Sequence, residues 1–368
     1  GLGTMGQSHA LAYHADPAFE IVGLVNRSAT DLPAPLRAYP QSHDFAGALG
    51  MSHKPLEAAK QIASGAIDRV DCGCVNGLYF VNIFSFGIFT TTSQRTPDER
   101  KQIDEIISHP RGLLLLVGPT GSGKSTTLYS ILNALNTPDR KIITLEDPVE
   151  NTIPGITQIP IDTTAGQKFS DGLRSVLRLD PDVVMVGEIR DTETARTAIQ
   201  ASITGHLVLS SFHANSTSAA FSRIIDMIGQ NPIFSSAVRL VIAQRLVRRL
   251  DDASKQEYEP DEATRRWVRE VLKGIPSHIE LPNLDTFKLW KPVSTSDVPF
   301  GYRGRIPIME QLVVNEEIQK FLRGDVADVH AEEIEKTARQ QGMLTLLQAG
   351  VLAALRGETT LEEVNRVI

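Results

Sequence analysis

A glycine-rich turn between an apolar run and a helical pattern constrains this chain more than any other feature. The run Gly112–Val117 predicts a short buried strand, and Thr127–Leu135 predicts a helix. Between them, Gly118–Ser125 fits the pattern G-x-x-x-x-G-K-[ST] in a strand–loop–helix context. Glycines let the backbone wrap around phosphate groups with its N–H groups pointing inward, and the helix N-terminus adds a favourable partial charge. The stretch therefore predicts a site for a nucleoside triphosphate.

The side chains of this turn have separate expected roles. We expect Lys124 to reach the outer phosphates of ATP and Ser125 to hold Mg²⁺. An ordinary glycine-rich turn is the alternative, and it is disfavoured because both flanking patterns fit. The residues expected to bind ATP are Gly118, Pro119, Thr120, Gly121, Ser122, Gly123, Lys124, Ser125 and Thr126.

Composition excludes several classes of protein. The chain has 368 residues, enough for two or three domains, and its net charge of −7 argues against a general nucleic-acid binder. Its two cysteines, Cys72 and Cys74, are too few for a disulfide framework and fit a reducing cytoplasm. No apolar run reaches the roughly 18 residues that a transmembrane helix needs. We expect a cytoplasmic protein with no transmembrane segment and no nucleic-acid partner.

Residues 1–43 contain a second glycine pattern. Gly1–Gly6 is G-x-G-x-x-G, and a predicted strand, Phe19–Val25, follows a helical run. This order resembles the N-terminus of Gfo/Idh/MocA-type NAD(P)-dependent oxidoreductases, which implies a truncated, Rossmann-like dinucleotide-binding fragment. Arg27 stands near the position of the usual ribose-binding acid and could suit NADP. Because no later strands or catalytic residues of such an enzyme follow, an NADP-dependent oxidoreductase is the least favoured function.

Residues 44–101 form a further distinct stretch. Asp44–Met51 precedes a predicted hairpin within Asp71–Asn82, and the two segments resemble parts of the diacylglycerol/lipid kinase family. The Gly-Gly-Asp-Gly-Thr loop that grips ATP in that family is missing, so we expect no kinase activity here. The spacing C-x-C of Cys72 and Cys74 does not suit a tetrahedral metal site without a second pair. The first hundred or so residues are thus predicted to be a fusion of two fragments, which makes the chain chimeric.

Acidic residues follow two predicted strands downstream of the glycine-rich turn. The strand Lys141–Leu145 is followed by Glu146, Asp147 and Glu150, and the apolar run from Asp182 ends at Glu188. Carboxylates at the carboxyl ends of parallel strands suit Mg²⁺ and water positioning, although the first group could also be a solvated acidic turn. We expect Glu188 to polarise the attacking water as a general base. Asp191 is predicted to cap the helix that begins at Thr192.

Two histidines bracket the next predicted strand, Leu207–Ser211. His206 precedes the strand and His213 follows it, so each could lie at an opposite rim of the sheet. A polar strand end beside a γ-phosphate is a suitable place for a sensor, which favours a functional role for His213. For His206 the functional and the structural interpretation are equally weighted.

Four motifs in order carry a specific resemblance. They are similar to the Walker A, Asp box, Walker B and His box of the secretion ATPases of type II secretion and type IV pilus assembly, and the similarity extends over about 102–368. The resemblance implies an α/β fold, in which a RecA-like P-loop NTPase domain (102–250) precedes a mostly helical C-terminal domain (251–368). The four motifs are Gly118–Thr126, Leu145–Glu150, Leu177–Asp191 and Thr204–His213.

The resemblance also implies function and partners. It predicts Mg²⁺-dependent ATP hydrolysis by a hexameric ring, a homo-oligomer that works with integral inner-membrane platform proteins and lies peripherally at that membrane. Arginines that stabilise transition-state charge are expected among Arg174, Arg178 and Arg190, with structural ion pairs as the alternative. The residues expected to take part in catalysis are Glu188, Glu146, Asp147, Glu150, His213 and His206.

The chain departs from the family pattern in two places. Many members carry a four-cysteine zinc module after the segment that resembles Gln244–Arg249, whereas this chain has no Cys there, so we expect no zinc site. Asp261–Lys273 is instead predicted to be an amphipathic helix, and Arg245, Arg248 and Arg249 are predicted to lie on a helix face or subunit contact. The family domain that precedes the P-loop domain is replaced, so a protein that binds ATP without hydrolysing it is the main alternative function.

Overall fold

The computed structural model describes residues 97–277, 279–326 and 329–368, with side chains from Gln102, and two short strands near the N-terminus. These strands, β1 (Leu24–Val25) and β2 (Gln41–Ser42), pair in parallel. The chain divides into two compact units, Gly1–Thr90 and Thr91–Ile368. The predictions for the dinucleotide-binding and kinase-like fragments fall, apart from β1, β2 and residues 97–101, outside the described residues.

A seven-stranded sheet forms the centre of the described part of the second unit. Its strands lie in the order β11-β8-β3-β7-β6-β4-β5, and all neighbours are parallel except β11, which runs antiparallel to β8. The strands are β3 (Gly112–Val117), β4 (Ile142–Glu146), β5 (Thr157–Pro160), β6 (Val183–Val186), β7 (Leu207–Phe212), β8 (Val238–Leu250) and β11 (Tyr302–Val313).

Helices cover both faces of this sheet because parallel strands need crossover connections. Every residue of the central strand β3 is buried, which requires apolar partners on either side. The helices that precede or connect the parallel strands are α1 (Pro97–Ile107), α2 (Lys124–Leu135), α3 (Phe169–Leu177), α4 (Thr192–Ile203) and α5 (Thr217–Ile228), and a short 3₁₀ helix spans Pro232–Phe234. The predicted α/β fold is confirmed.

Several local predictions are also confirmed. Helix α3 has the predicted bounds, and β4, β6 and β7 occupy the predicted apolar runs. The carboxylate of Asp191 accepts a hydrogen bond from the backbone N–H of Thr194 and caps α4. Such a cap stabilises a helix by about 1 kcal/mol because it satisfies a backbone donor that has no partner within the helix.

The prediction for the basic cluster is wrong in its secondary structure. Arg245, Arg248 and Arg249 lie on β8, a strand of thirteen residues, and not on a helix face. The strand conformation prevails because residues Leu240 to Ala243 pair with both β3 and β11 in the buried sheet, and this packing outweighs the helical spacing of the arginines. The guanidinium of Arg248 donates to buried Glu363, and that of Arg249 pairs with Asp252.

The C-terminal segment combines helices with strands. Strand β11 lies beside β8, so a division after residue 250 separates two neighbouring strands of one sheet. The predicted amphipathic helix is present as α6 (Glu262–Val271), capped by Asp261, and β9 (Gln256–Tyr258) pairs antiparallel with β10 (Leu289–Lys291). The remaining helices are α7 (Glu316–Arg323), α8 (Ala331–Gln340), α9 (Leu346–Leu355) and α10 (Leu361–Val367).

Apolar packing holds this insert against the C-terminal helices. Val268 and Leu272 from the α6 region and Leu289 from β10 are buried together with Val351 of α9. The side-chain amide of Gln348 adds a hydrogen bond to the carbonyl oxygen of Val271, at 3.0 Å. Among the described helices, none has the length and apolar character needed to cross a lipid bilayer.

Candidate functional site

The glycine-rich turn leaves the C-terminal end of β3 and enters α2 at Lys124. Gly118 and Gly123 have φ angles of 153° and 86°, which favour glycine over residues with a side chain. A Cβ atom on Gly118 would lie 2.7 Å from the carbonyl oxygen of Gln244, and one on Gly123 would lie 2.9 Å from its Nε2 atom. The turn therefore passes directly over the backbone and side chain of β8.

Lys124 lies across the turn. Its ammonium donates to the carbonyl oxygens of Gly118 and Pro119, at 2.9 and 3.0 Å. Partial burial lowers the pKa of Lys124, while the negative charge of Glu188 acts in the opposite direction and positive Arg245 lowers it further. The positive charge is thus held at the mouth of the turn, facing the carboxylate of Glu188.

Glu146, at the end of β4, is buried and fully engaged. It is 4% exposed, and its carboxylate accepts hydrogen bonds from the hydroxyls of Tyr129 and Thr144 and from the amide of Gln158. Burial, followed by the hydrogen bond to Glu146, raises the pKa of Tyr129 to about 12. The Tyr129 hydroxyl also accepts from the backbone N–H of Glu150, at 3.2 Å. Glu146 thus orients the acidic turn through Tyr129.

The other two carboxylates of this turn face the cleft. Oε1 of Glu150 accepts a hydrogen bond from the Ser125 hydroxyl at 3.3 Å, so the start of α2 and the acidic turn meet. Asp147 accepts from the hydroxyl of Thr163, and its carboxylate lies 3.9 Å from the guanidinium of Arg190. Hard cations such as Mg²⁺ prefer oxygen ligands, and the hydroxyl–carboxylate pair of Ser125 and Glu150 supplies them. These residues fit the expected Mg²⁺ site.

Glu188 lies just beyond the end of β6 with both carboxylate oxygens contacted. Oε1 is 2.8 Å from Nε2 of His213, and Oε2 accepts from Nε of Arg190 at 2.5 Å. The side chain of Glu188 is only 13% exposed, while those of His213 and Arg190 are about half exposed. The carboxylate is therefore fixed in direction and shielded from bulk water, as a group that orients a water molecule requires.

These groups share one cleft of about 520 Å³ at the carboxyl edge of the sheet. Such an edge is the usual ligand site of open α/β sheets. The predicted residues that line the cleft come from the glycine-rich turn, the acidic turn, and the ends of β6 and β7: Thr120, Gly121, Gly123, Lys124, Ser125, Thr126, Glu146, Asp147, Glu150, Glu188, Arg190 and His213.

The structure does not bring all the predicted residues to this cleft. His206 precedes β7 at the opposite edge, where its Nδ1 atom lies 3.1 Å from the carbonyl oxygen of Ala201 and its own carbonyl accepts from the backbone N–H of Gly112. Arg174 pairs with Asp171 and Glu193 on the surface. Arg178 follows the last turn of α3. Of the three candidate arginines, Arg190 alone lines the cleft within the described part of the chain.

Sequence reasoning missed several residues of the site. Tyr129 on α2 orients the acidic turn, Gln244 on β8 lies under the glycine-rich turn, and Arg305 on β11 lines the cleft beside Leu246. Arg305 lies within the stretch 102–368 that resembles the family, but outside the four motifs. Gln244 could have been found only if β8 had been predicted to be a strand of the central sheet.

Comparisons with known proteins identify the family. The model of the family "Type II/IV secretion system protein" matches residues 85–366, so the match begins within the stretch that we expected to be kinase-like. Type II secretion system protein E of Xanthomonas campestris pv. campestris is 44% identical over 274 residues, 74% of this chain and 46% of its own length. The type IV pilus assembly ATPase PilB of Thermus thermophilus is 44% identical over 73% of this chain and 29% of its own length.

Solved structures agree with the fold. The pilus retraction motor PilT with bound ADP aligns with a TM-score of 0.52 and 26% identity, covering 73% of this chain and 64% of that one. The Legionella pneumophila ATPase DotB aligns with a TM-score of 0.50 at 24% identity, which supports the fold alone. The matched part of this chain spans less than half the length of these two relatives, protein E of Xanthomonas campestris and PilB of Thermus thermophilus. On its sequence match and its fold, this chain belongs to the Type II/IV secretion system protein family.

Proposed function

We propose that this chain hydrolyses ATP to drive type II secretion or type IV pilus assembly. The observation that carries the proposal is the placement of Glu188, a shielded carboxylate held by His213 and Arg190 in the same cleft as the glycine-rich turn. Relatives more than 40% identical over about three quarters of the chain are named for type II secretion and type IV pilus assembly. Together they favour a hydrolytic site over a site that only binds nucleotide.

In the proposed reaction, the chain's own groups position the phosphates and the water. The backbone of Gly118–Ser125 surrounds the phosphates, and Lys124 offsets their negative charge. Glu188 orients the attacking water by accepting a hydrogen bond from it. Arg190 stabilises the negative charge that develops in the transition state. Ser125 and Glu150 would hold Mg²⁺, which supplies neutralisation of phosphate charge when bound.

The proposal includes an assembly. We expect a homo-oligomeric ring of six subunits at the cytoplasmic side of the inner membrane, in contact with integral platform proteins of a pilus or secretion system. The support is the family itself and the names of relatives that assemble pili or secrete proteins. Light scattering coupled to size-exclusion chromatography, with and without ADP, measures the mass directly. A monomer at every concentration tested contradicts the ring.

Phosphate release by the full chain tests the hydrolytic proposal. The wild-type protein should release phosphate from ATP in the presence of Mg²⁺. Lys124→Ala should lose both binding and release, whereas Glu188→Gln should keep binding and lose release. Unchanged turnover in Glu188→Gln contradicts the assignment. Stoichiometric ATP binding without release at any protein concentration supports the alternative of a nucleotide-binding protein that does not hydrolyse ATP.

A further inference from the structure

Gln244 is a buried side chain that contacts the glycine-rich turn at two points. It lies on β8 with no exposed surface. Its Nε2 atom donates to the carbonyl oxygen of Ser122 at 2.8 Å, and its Oε1 atom accepts from the hydroxyl of Thr127 at 2.9 Å. One amide therefore links the middle of the turn to the first turn of α2.

The contact extends to the backbone of the turn. Gly118 and Gly123 both approach Gln244 so closely that a Cβ atom on either would lie within 3.0 Å of one of its atoms. Real Cβ atoms essentially never come that close to another heavy atom without a shift of the neighbour. Gln244 thus contacts the turn at Gly118, Ser122 and Gly123.

The polarity of the amide suits what a phosphate-binding turn requires. Such a turn presents its N–H groups inward, so its carbonyl oxygens must point away from the phosphates and find other donors. The Ser122 carbonyl has the Gln244 Nε2–H as its donor in a buried position. Without that donor, the Ser122 carbonyl would be buried with no hydrogen bond, which is unfavourable. Rotation toward the cleft would relieve this cost but would bring the carbonyl oxygen close to the phosphate oxygens, which it would repel.

We propose that Gln244 is a positioning residue of the nucleotide site, which keeps the Ser122 carbonyl turned away from the phosphates and ties the turn to α2 through Thr127. The inference rests on the proposed binding of ATP and adds a residue on a strand that the glycine motif does not include. Gln244 acts through the backbone of the turn and does not touch the phosphates itself. Loss of the Gln244 amide should therefore lower the affinity for nucleotide, an effect that a loss of fold stability alone would not produce.

Gln244→Met in the full chain tests this proposal because methionine keeps the length of the side chain and removes the amide. We expect affinity for a fluorescent ADP analogue to fall by about tenfold or more, since one buried hydrogen bond corresponds to roughly that factor. The KM for ATP should rise by a similar factor. The matched control is Gln348→Met, which also removes a buried amide with two hydrogen bonds but lies outside the cleft.

The control should lower the urea midpoint of unfolding without changing ADP affinity. A second pair addresses the other end of the contact: Thr127→Ser keeps the hydroxyl and should bind ADP within about twofold of the wild type, whereas Thr127→Val should bind several-fold more weakly. This pair decides the question if Gln244→Met does not fold.

Two results overturn the inference. The first is wild-type ADP affinity in Gln244→Met or, if that variant does not fold, in Thr127→Val. The second is an equal loss of affinity in Gln348→Met, which would make the effect a general consequence of lower stability. The proposed function fails differently, because then the wild-type chain itself would not bind ADP or would release no phosphate from ATP.

Discussion

The Nε2 atom of His213 lies 2.8 Å from Oε1 of Glu188, and the two residues follow neighbouring parallel strands of the sheet. The hydroxyl of Ser211 helps to set this arrangement by donating to the carbonyl oxygen of Gly187 at 2.6 Å. Arg223 supports the other side by donating to the carbonyl oxygen of His213 at 3.3 Å. The imidazole thus has a fixed approach to one oxygen of the shielded carboxylate.

Replacing His213 with alanine should slow hydrolysis and leave nucleotide binding intact. The change removes one of the two groups that orient Glu188, so we expect kcat to fall by about tenfold to a hundredfold, less than the roughly 10²–10⁴-fold that a general acid–base group itself contributes. Phosphate release and an ADP titration measure the two effects separately. His330→Ala is the control, since His330 is an exposed residue before α8. Equal kcat in wild type and His213→Ala would show that the His213 imidazole does not contribute to hydrolysis.

Tyr129→Phe should destabilise the chain by about 1–3 kcal/mol, the effect of leaving a buried carboxylate short of a donor. The same change removes the hydrogen bond from the backbone N–H of Glu150 to the Tyr129 hydroxyl. Because Glu150 lines the cleft, KM for ATP should rise as well. Urea unfolding gives the stability difference, and Tyr258→Phe on β9 serves as the control outside the cleft. A Tyr129→Phe protein as stable as the wild type would show that Glu146 does not need the phenol.

Acidic pH should lower the free energy of unfolding through protonation of Glu363. Burial opposes ionisation of this residue, but hydrogen bonds from Arg366 and Arg248 outweigh burial and lower its pKa to about 2. A carboxylate with a lowered pKa in the folded state stabilises the fold above its ordinary pKa of 4.5, and that contribution is lost as the pH falls from there toward 2. The contribution is on the order of 3 kcal/mol.

Unfolding in urea at a series of pH values from 6 down to about 3 tests this dependence. The wild-type midpoint should decrease across the range, and Glu363→Gln should show a lower midpoint at pH 6 with a flatter slope. Glu257→Gln, a surface control in which Glu257 pairs with Lys288, should follow the wild-type curve. Parallel curves for Glu363→Gln and the wild type would contradict the assignment.

Gly123→Ala should lower the affinity for ADP more than the same substitution at Gly324. Gly123 and Gly324 both have left-handed backbones, with φ of 86° and 90°, so alanine strains either position by roughly 1–2 kcal/mol. Only at Gly123 would the new Cβ atom also meet Gln244, at 2.9 Å, whereas at Gly324 the nearest neighbour is at an ordinary 3.6 Å. We expect ADP affinity to fall several-fold in Gly123→Ala and to stay unchanged in Gly324→Ala. Equal affinities would show that the turn tolerates displacement from β8.

The sequence was sufficient for features that depend on neighbours along the chain. The glycine-rich turn, the strand that leads to Glu188 and the cap at Asp191 all follow from local patterns of apolar, glycine and acidic residues. The glycine-rich turn and Glu188 meet in one cleft because the carboxyl ends of parallel strands share one edge of the sheet. The fold class and the family were therefore predictable from short segments.

Residues that act across the fold were not predictable in this way. Gln244 contacts Ser122, which lies 122 residues earlier, and Arg305 reaches the cleft only because β11 runs antiparallel beside β8. The arginines around Arg248 had the spacing of a helix, and their strand conformation depends on pairing with partners that the local sequence does not specify. The secondary structure and the contacts of these residues depend on strand pairing between segments that are distant in sequence.

Strand β8 meets two distant parts of the molecule along its length. Gln244 holds the glycine-rich turn, and about 13 Å further along Arg248 is joined to α10 through Glu363 and to Thr359, whose hydroxyl donates to its carbonyl. Between these two residues β8 is paired with β11, and stretching the strand would break that hydrogen-bond ladder. The glycine-rich turn and α10 therefore contact the same strand, so a shift of β8 along its axis would move both contacts together.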